Sequence, residues 1–325
     1  MKLLKQVYDL HHKKAKALLS EAAQQANPAI WLYLNNLRTP MFMLEATSRM
    51  CEKLYDDAPC FLKMKEQYKA VEDAVGAVDY YSAAFKNVES NSAIPEAVKQ
   101  YLVKKADEKA QILNELLEKE GWLNGKKLSE IEQALNAVDW RKDAKELEKI
   151  AKFYAKSVEK TIEVAYETNF VFGHIEEVHE IRRRVRWLSI YPQALAGIFQ
   201  FAETGAKPTA QMEKYMTDVV KKSPFNVIPT TLSIEDPILL SKNHFLTMSW
   251  LIAELGDLKD NGLGVELLKE ALQNTASLDD AAAYAEAYKI LGQTQVPLDA
   301  LISKSQKVLK TYFDEGHLKG LLMDL

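Results

Sequence analysis

Residues 178–190 read Val178-His179-Glu180-Ile181-Arg182-Arg183-Arg184-Val185-Arg186-Trp187-Leu188-Ser189-Ile190. Set on a helix at about 100° per residue, Val178, Ile181, Val185 and Leu188 fall on one arc, which the spacing predicts as a buried face. His179, Arg182, Arg183 and Arg186 fall on an adjacent arc about 100° wide, continued by Ile190, while Arg184 and Trp187 point elsewhere. Like charges at i, i+3, i+4 and i+7 repel by a few tenths of a kcal/mol per pair. A sequence shaped only by stability intersperses acids there; a facing anion removes the conflict. Arginine suits phosphate because its planar fork donates two parallel hydrogen bonds and stays charged at physiological pH. The competing reading pairs these arginines with acids on neighbouring helices, and the chain has 46 Asp and Glu to offer.

Outward from this segment the same 3.6-residue apolar period recurs almost everywhere. It predicts one helix from Lys5 to a break at Asn27-Pro28 and a second over about 29–55, ended by Asp56-Asp57-Ala58-Pro59. Further helices are expected near 61–87, 95–120, 128–137, 141–168, 174–203, 236–260, 263–274, 279–291 and 297–322. Loops fall at Glu89-Ser90-Asn91-Ser92, Gly121–Gly125 and Asn169–Gly173, and the pattern breaks from Gly205 to Pro208. Phe225 to Leu232 alone reads as extended, although Pro229 argues against a central strand. The fold class is all-α, and scarce glycine (12) and proline (10) agree with long helices.

The 325 residues, 47% hydrophobic and 27% charged, can bury a sizeable core and suggest two core-sized units. A net charge of -4 argues against a general nucleic-acid binder, so any polyanion site must be local. Cys51 and Cys60 offer neither metal spacing nor a disulfide framework, which suits reduced thiols in a cytoplasmic protein. His11, His12, Lys13 and Lys14 interrupt the N-terminal apolar run, so no signal peptide is expected, and no stretch is long enough for a membrane span.

Self-comparison sets Leu34-Asn35-Asn36-Leu37-Arg38 beside Val178-His179-Glu180-Ile181-Arg182. Downstream, Ala74-Val75-Gly76-Ala77-Val78-Asp79 lies beside Glu254-Leu255-Gly256-Asp257-Leu258-Lys259. Each glycine sits inside an amphipathic run, where it costs about 1 kcal/mol relative to alanine and implies a packing reason. The reading is two related halves, 1–172 and 173–325, the second longer by an insertion at 205–243.

The run HEIRRRVRWLSIYPQAL resembles the signature helix of the conserved-histidine α-helical domain (CHAD) family. That signature has a histidine, an arginine three residues on, and further basic residues seven, eight and eleven positions on. His179, Arg182 and Arg186 match; Trp187 and Ile190 stand where basic residues are common. Leu255-Gly256-Asp257-Leu258-Lys259-Asp260 resembles the family's second hallmark, an LG-x-x-basic-Asp run. The resemblance spans about residues 30–320 and implies two helical-bundle halves that bind inorganic polyphosphate along a basic surface, without catalysis and without a cofactor. It carries His179, Arg182, Arg186 and Lys259 as anion-binding residues, with Arg183 added from the stripe. In the first half only Arg38 matches, because Asn35, Phe42, Met43 and Asp79-Tyr80 replace the remaining signature residues. The alternative is a structural or protein-interaction helical module that has lost ligand binding.

Other constellations are weaker. Glu176-x-x-His179 has di-iron spacing but lacks a second Glu-x-x-His, and the arginines after it oppose a dication. His11, His12, Lys13, Lys14 and Lys16 read as a solvated basic patch that could extend an anion groove. His244 and His317 read as lone histidines. Trp31, Tyr33, Phe42, Trp187, Tyr191 and Phe199 read as core. Gly262-Leu263-Gly264 lacks the lysine and spacing of a phosphate loop.

Overall fold

In the computed structural model the described residues are 2–55, 58–202, 207–292 and 297–322. The breaks expected at Asp56-Asp57 and at Gly205-Ala206 lie outside them. The described residues form thirteen α-helices, two short 3-10 turns and two three-residue strands, so the chain is all-α. No helix among them is long and apolar enough to cross a membrane.

The chain divides into two compact units, each packed mainly on itself. Unit 1 is Met1–Lys142 with Gly264–Gln293; unit 2 is Asp143–Leu263 with Thr294–Leu325. This partition differs from the expected halves 1–172 and 173–325, and apolar burial explains both differences. Residues 264–293 bury Val265, Leu268, Ala271, Leu272, Ala283 and Ala287 against Ile94 and Val98 of unit 1. Residues 143–167 pack instead on the helix that follows them.

Unit 1 begins with α1 (Leu3–Ala22), α2 (Pro28–Leu34), α3 (Arg38–Leu54) and α4 (Cys60–Val88). It continues with α5 (Glu96–Lys119) and α6 (Lys126–Ala137). Helix α4 packs between α3 and α5, and α1 packs on α3. The single helix expected over 29–55 is two. Asn36 takes a left-handed φ of 58°; Leu37 N–H then reaches Leu32 O and Asn36 N–H reaches Tyr33 O. This Schellman arrangement terminates α2, and asparagine is the side chain after glycine that best tolerates it. The turn sets Arg38 at the start of α3. Tyr8, Tyr55, Phe61 and Trp140 form an aromatic nucleus with ring centroids 5.5–6.0 Å apart.

Unit 2 contains α7 (Asp143–Glu167), α8 (Ile175–Ala194), α9 (Ala210–Glu213), α10 (Asp218–Lys222) and α13 (Leu298–Asp314). Tyr154 of α7 is buried and donates to Leu188 O of α8 at 2.8 Å. Helix α8 stops at Ala194, short of the expected 203, because Pro192 removes a donor and Ala196 turns to φ 50°. The chain then enters β1 (Phe199–Phe201), which pairs in parallel with β2 (Ile238–Leu240). The extended stretch therefore lies here and not at 225–232, where Pro224–Asn226 form a 3-10 turn. A Cβ on Gly197 would strike Leu232 O, so only glycine admits this crossing.

Helix α11 (Lys242–Ala276) runs unbroken where two helices were expected, with residues 242–263 in unit 2 and 264–276 in unit 1. Gly262 acts as a packing site: a Cβ there would stand 3.1 Å from Ile175 and 3.3 Å from Leu298. Helix α12 (Asp280–Leu291) follows, capped by Asp279 Oδ1 accepting from Ala282 N–H. Leu272→Ala is expected to destabilise the protein by about 2–5 kcal/mol, measured by denaturant unfolding, because it empties the packing between 264–293 and α5.

Candidate functional site

The stripe on α8 is held in register from its first turn. The Glu177 carboxylate accepts from Gly173 N–H (2.6 Å) and His174 N–H (3.0 Å), closing a capping box with His174. Those two donors hold Glu177 below the usual carboxylate range. Val178, Ile181, Val185 and Leu188 are buried, as the periodicity predicts. Ile190, placed on the edge of the stripe by spacing, is also buried. That register turns His179 and Arg182 towards α11.

Arg182 Nε donates to the backbone carbonyl of Ile252 at 2.9 Å. The guanidinium lies on Gly256, four residues further along α11, where a Cβ would come within 2.9 Å of Nη2. The residue at i+4 flanks the carbonyl of residue i on a helix surface, so a glycine there opens the way to it. This is the packing reason for that glycine. Burial lowers Arg182 from its ordinary value, opposed by Asp260 and Asp257. His179 is half-buried and its Nδ1 makes no hydrogen bond among the described residues. Burial first, then the charges of Lys259 and Arg182, hold His179 below the ordinary imidazole value, with Glu180 opposing. Lys259 ion-pairs with Asp260 at 2.6 Å, and Arg183 with Glu180 at 2.7 Å. Arg186 is half-buried and Arg184 exposed. His179, Arg182 and Lys259 therefore share one neighbourhood, and Asp257, Asp260 and Glu180 sit among them.

Arg38 stands in unit 1, in a similar contact with a different charge. Its guanidinium lies on Gly76 of α4, where a Cβ would come within 2.8 Å of Nη2. Nε donates to Glu72 at 2.6 Å and Nη1 to Asp79 at 3.2 Å. Counted from the glycine, position −4 is Glu72 or Ile252 and position +3 is Asp79 or Lys259. The residues aligned by self-comparison thus touch one another within each unit. Glu72, 4% exposed, belongs to no motif in the sequence, although its place four residues before Gly76 was a usable signal.

Other candidates move. His11 and His12 are buried, so the N-terminal patch is not a uniformly solvated face; His12 Nε2 and Lys16 both meet Glu132. His244 and His317 are not lone histidines: their rings lie 6.3 Å apart. His317 meets Glu315 at 3.1 Å, which also accepts from Tyr215 OH at 2.5 Å and pairs with Lys214. Of the aromatics read as core, Tyr191 and Phe199 are buried while Trp31, Tyr33, Phe42 and Trp187 are half-buried. Among the described residues no three His, Cys, Asp or Glu side chains converge as a metal site. No family model, curated protein or solved structure matches the chain.

Two measurements probe this geometry. Arg182→Ala and Gly256→Ala are expected to be coupled by about 1 kcal/mol or more in a double-mutant cycle. Alanine at 256 displaces the guanidinium from Ile252 O, but in the Arg182→Ala background it only gains helix propensity. The second concerns acid. Burial lowers His12, His179 and His244. The unfolded chain then takes up these protons first, so their stabilising contribution is complete above about pH 6.5 and is lost as pH falls from there towards the folded values. Denaturation midpoints are expected to drop between about pH 7 and pH 5, and less steeply in His12→Gln.

Proposed function

We propose that this chain is a CHAD-like helical protein that binds phosphate-rich anions, inorganic polyphosphate first among them, without catalysis. The site is the face of α8 and α11 that carries His179, Arg182 and Lys259, with Arg183 and Arg186 on the same arc of α8. The observation that carries the reading is geometric: the Nε bond to Ile252 O sets the Arg182 guanidinium on Gly256, in one neighbourhood with Lys259 and with His179, whose Nδ1 has no hydrogen-bond partner among the described residues, and the charges of Lys259 and Arg182 disfavour a protonated His179 there. An anion placed among these groups relieves that repulsion. Arg182 is fixed by its Nε bond, its only hydrogen bond among the described residues, which orients its terminal N–H groups and leaves them without a hydrogen-bond partner there. The related arginine–glycine contacts support descent of the two units from one repeat, which is the architecture the resemblance implies.

A second reading, an interaction module that no longer binds a ligand, draws support from unit 1, where two carboxylates hold Arg38. The two readings differ in what Arg182 does. If it only holds helices together, its replacement costs stability and nothing else.

Long-chain polyphosphate is expected to bind the purified protein with log K falling by about 3 per tenfold rise in salt, as for roughly four neutralised phosphates at ~0.7 each. Arg182→Glu with Arg186→Glu should abolish binding while helicity by circular dichroism persists. Nuclear magnetic resonance should show His179 rising towards its ordinary value on binding, so binding is accompanied by proton uptake in the range between its free and ordinary values. Absence of binding by the native protein at about 50 mM salt overturns the proposal.

A further inference from the structure

The arginine–glycine contacts of the two units share a frame and differ in what occupies it. In unit 2 the positions at −4 and +3 from the glycine present a neutral carbonyl, Ile252 O, and a cation, Lys259. In unit 1 the same positions present two carboxylates, Glu72 and Asp79, on the Nε and Nη1 donors of Arg38. Nε belongs to the side-on fork (Nε with Nη2) and Nη1 to the end-on fork (Nη1 with Nη2) with which a guanidinium grips phosphate oxygens, so the two acids take one donor from each fork. We infer that the Arg38 frame is a second phosphate-type anion site, filled by the chain's own carboxylates, and that Glu72 and Asp79 confine polyanion binding to unit 2. The identity of the long polyanion rests on the function proposed above; the self-occupied frame rests on unit 1 alone.

Exposure separates the roles of the two acids. Glu72 is buried and anchors Nε from within. Asp79 and Arg38 have side-chain exposures of 42% and 38%, so this bond meets solvent. An ion pair so exposed contributes little to stability. Its main consequence is electrostatic: it cancels the charge that an incoming phosphate would meet and takes the donor that would receive it. The structural counterpart of Asp79 in unit 2 is Lys259, which does the opposite.

The test uses the full chain, with inorganic phosphate and long-chain polyphosphate as probes at about 50 mM salt. Asp79→Lys gives unit 1 the charge pattern of unit 2, and Asp107→Lys, on the exposed face of α5, makes the same change in net charge elsewhere. Expected for Asp79→Lys is about tenfold tighter polyphosphate binding, with the salt slope steeper by roughly 1, as for one or two more neutralised phosphates. The Arg38 Nε–H resonance should shift on phosphate addition in Asp79→Lys but not in the native protein. Adding Arg38→Gln should remove the gain, and Asp107→Lys should not produce it. Asp79→Asn, the milder change, is expected to give a smaller gain and serves if Asp79→Lys does not fold. Lys259→Asp is the reciprocal change and should weaken binding about tenfold. Native binding with no gain in either Asp79 variant overturns the inference and leaves the proposed function standing. A gain that survives Arg38→Gln, or that Asp107→Lys matches, also overturns it. If the native protein binds nothing but phosphate shifts Arg38 in an Asp79 variant, the inference stands and the proposed function falls.

Discussion

A guanidinium lying on a glycine joins one helix to another in each unit, and much else in the two units is arranged around that contact. A guanidinium can lie this close on a neighbouring helix where no Cβ stands in its way. Gly76 and Gly256 provide the gaps, at about 1 kcal/mol each in helix propensity. The Schellman turn at Asn36 brings α3 to start at Arg38, and the capping box at His174 starts α8 so that Arg182 falls on its inner edge. Both devices are local, and both serve to aim one long side chain.

What each arginine meets on the far side differs between the units. Arg38 meets Glu72 and Asp79, a complete ionic partnership that asks for nothing further. Arg182 meets a neutral carbonyl at its Nε, with His179 and Lys259 in the same neighbourhood and Asp260 and Asp257 acting on it through space. The charge around Arg182 is therefore less compensated at the point of contact. One backbone device thus supports two electrostatic outcomes, set by which side chains stand four residues before and three residues after the glycine.

Much of this was legible in the chain itself. The buried arc Val178, Ile181, Val185 and Leu188 follows from spacing alone, because a helix repeats its face every 3.6 residues. The pairing of Arg38 with Gly76 and of Arg182 with Gly256 was visible as two similar segments, although their contact was not. The misplaced boundaries have specific causes. Asn36 ends α2 through a left-handed backbone that a hydrophobic pattern does not register, and the break expected between 260 and 263 falls inside α11, at Gly262. Gly262 instead admits Ile175 and Leu298. The strand pair at 199–201 and 238–240 was missed because three-residue strands are too short for an alternating pattern.

Sequence alone determined the class of the fold, the helical face of the stripe and the residues that deserved comparison. These depend on neighbours within a few positions along the chain. The tertiary structure decided the partners: that Glu72 and Asp79 hold Arg38, that Ile252 O receives Arg182, that His12 is buried beside Glu132, and that half-buried His244 lies beside buried His317. Those outcomes join residues tens of positions apart. Charge compensation acts through space at a few ångströms, and no period along the chain encodes which acid comes within reach of which base.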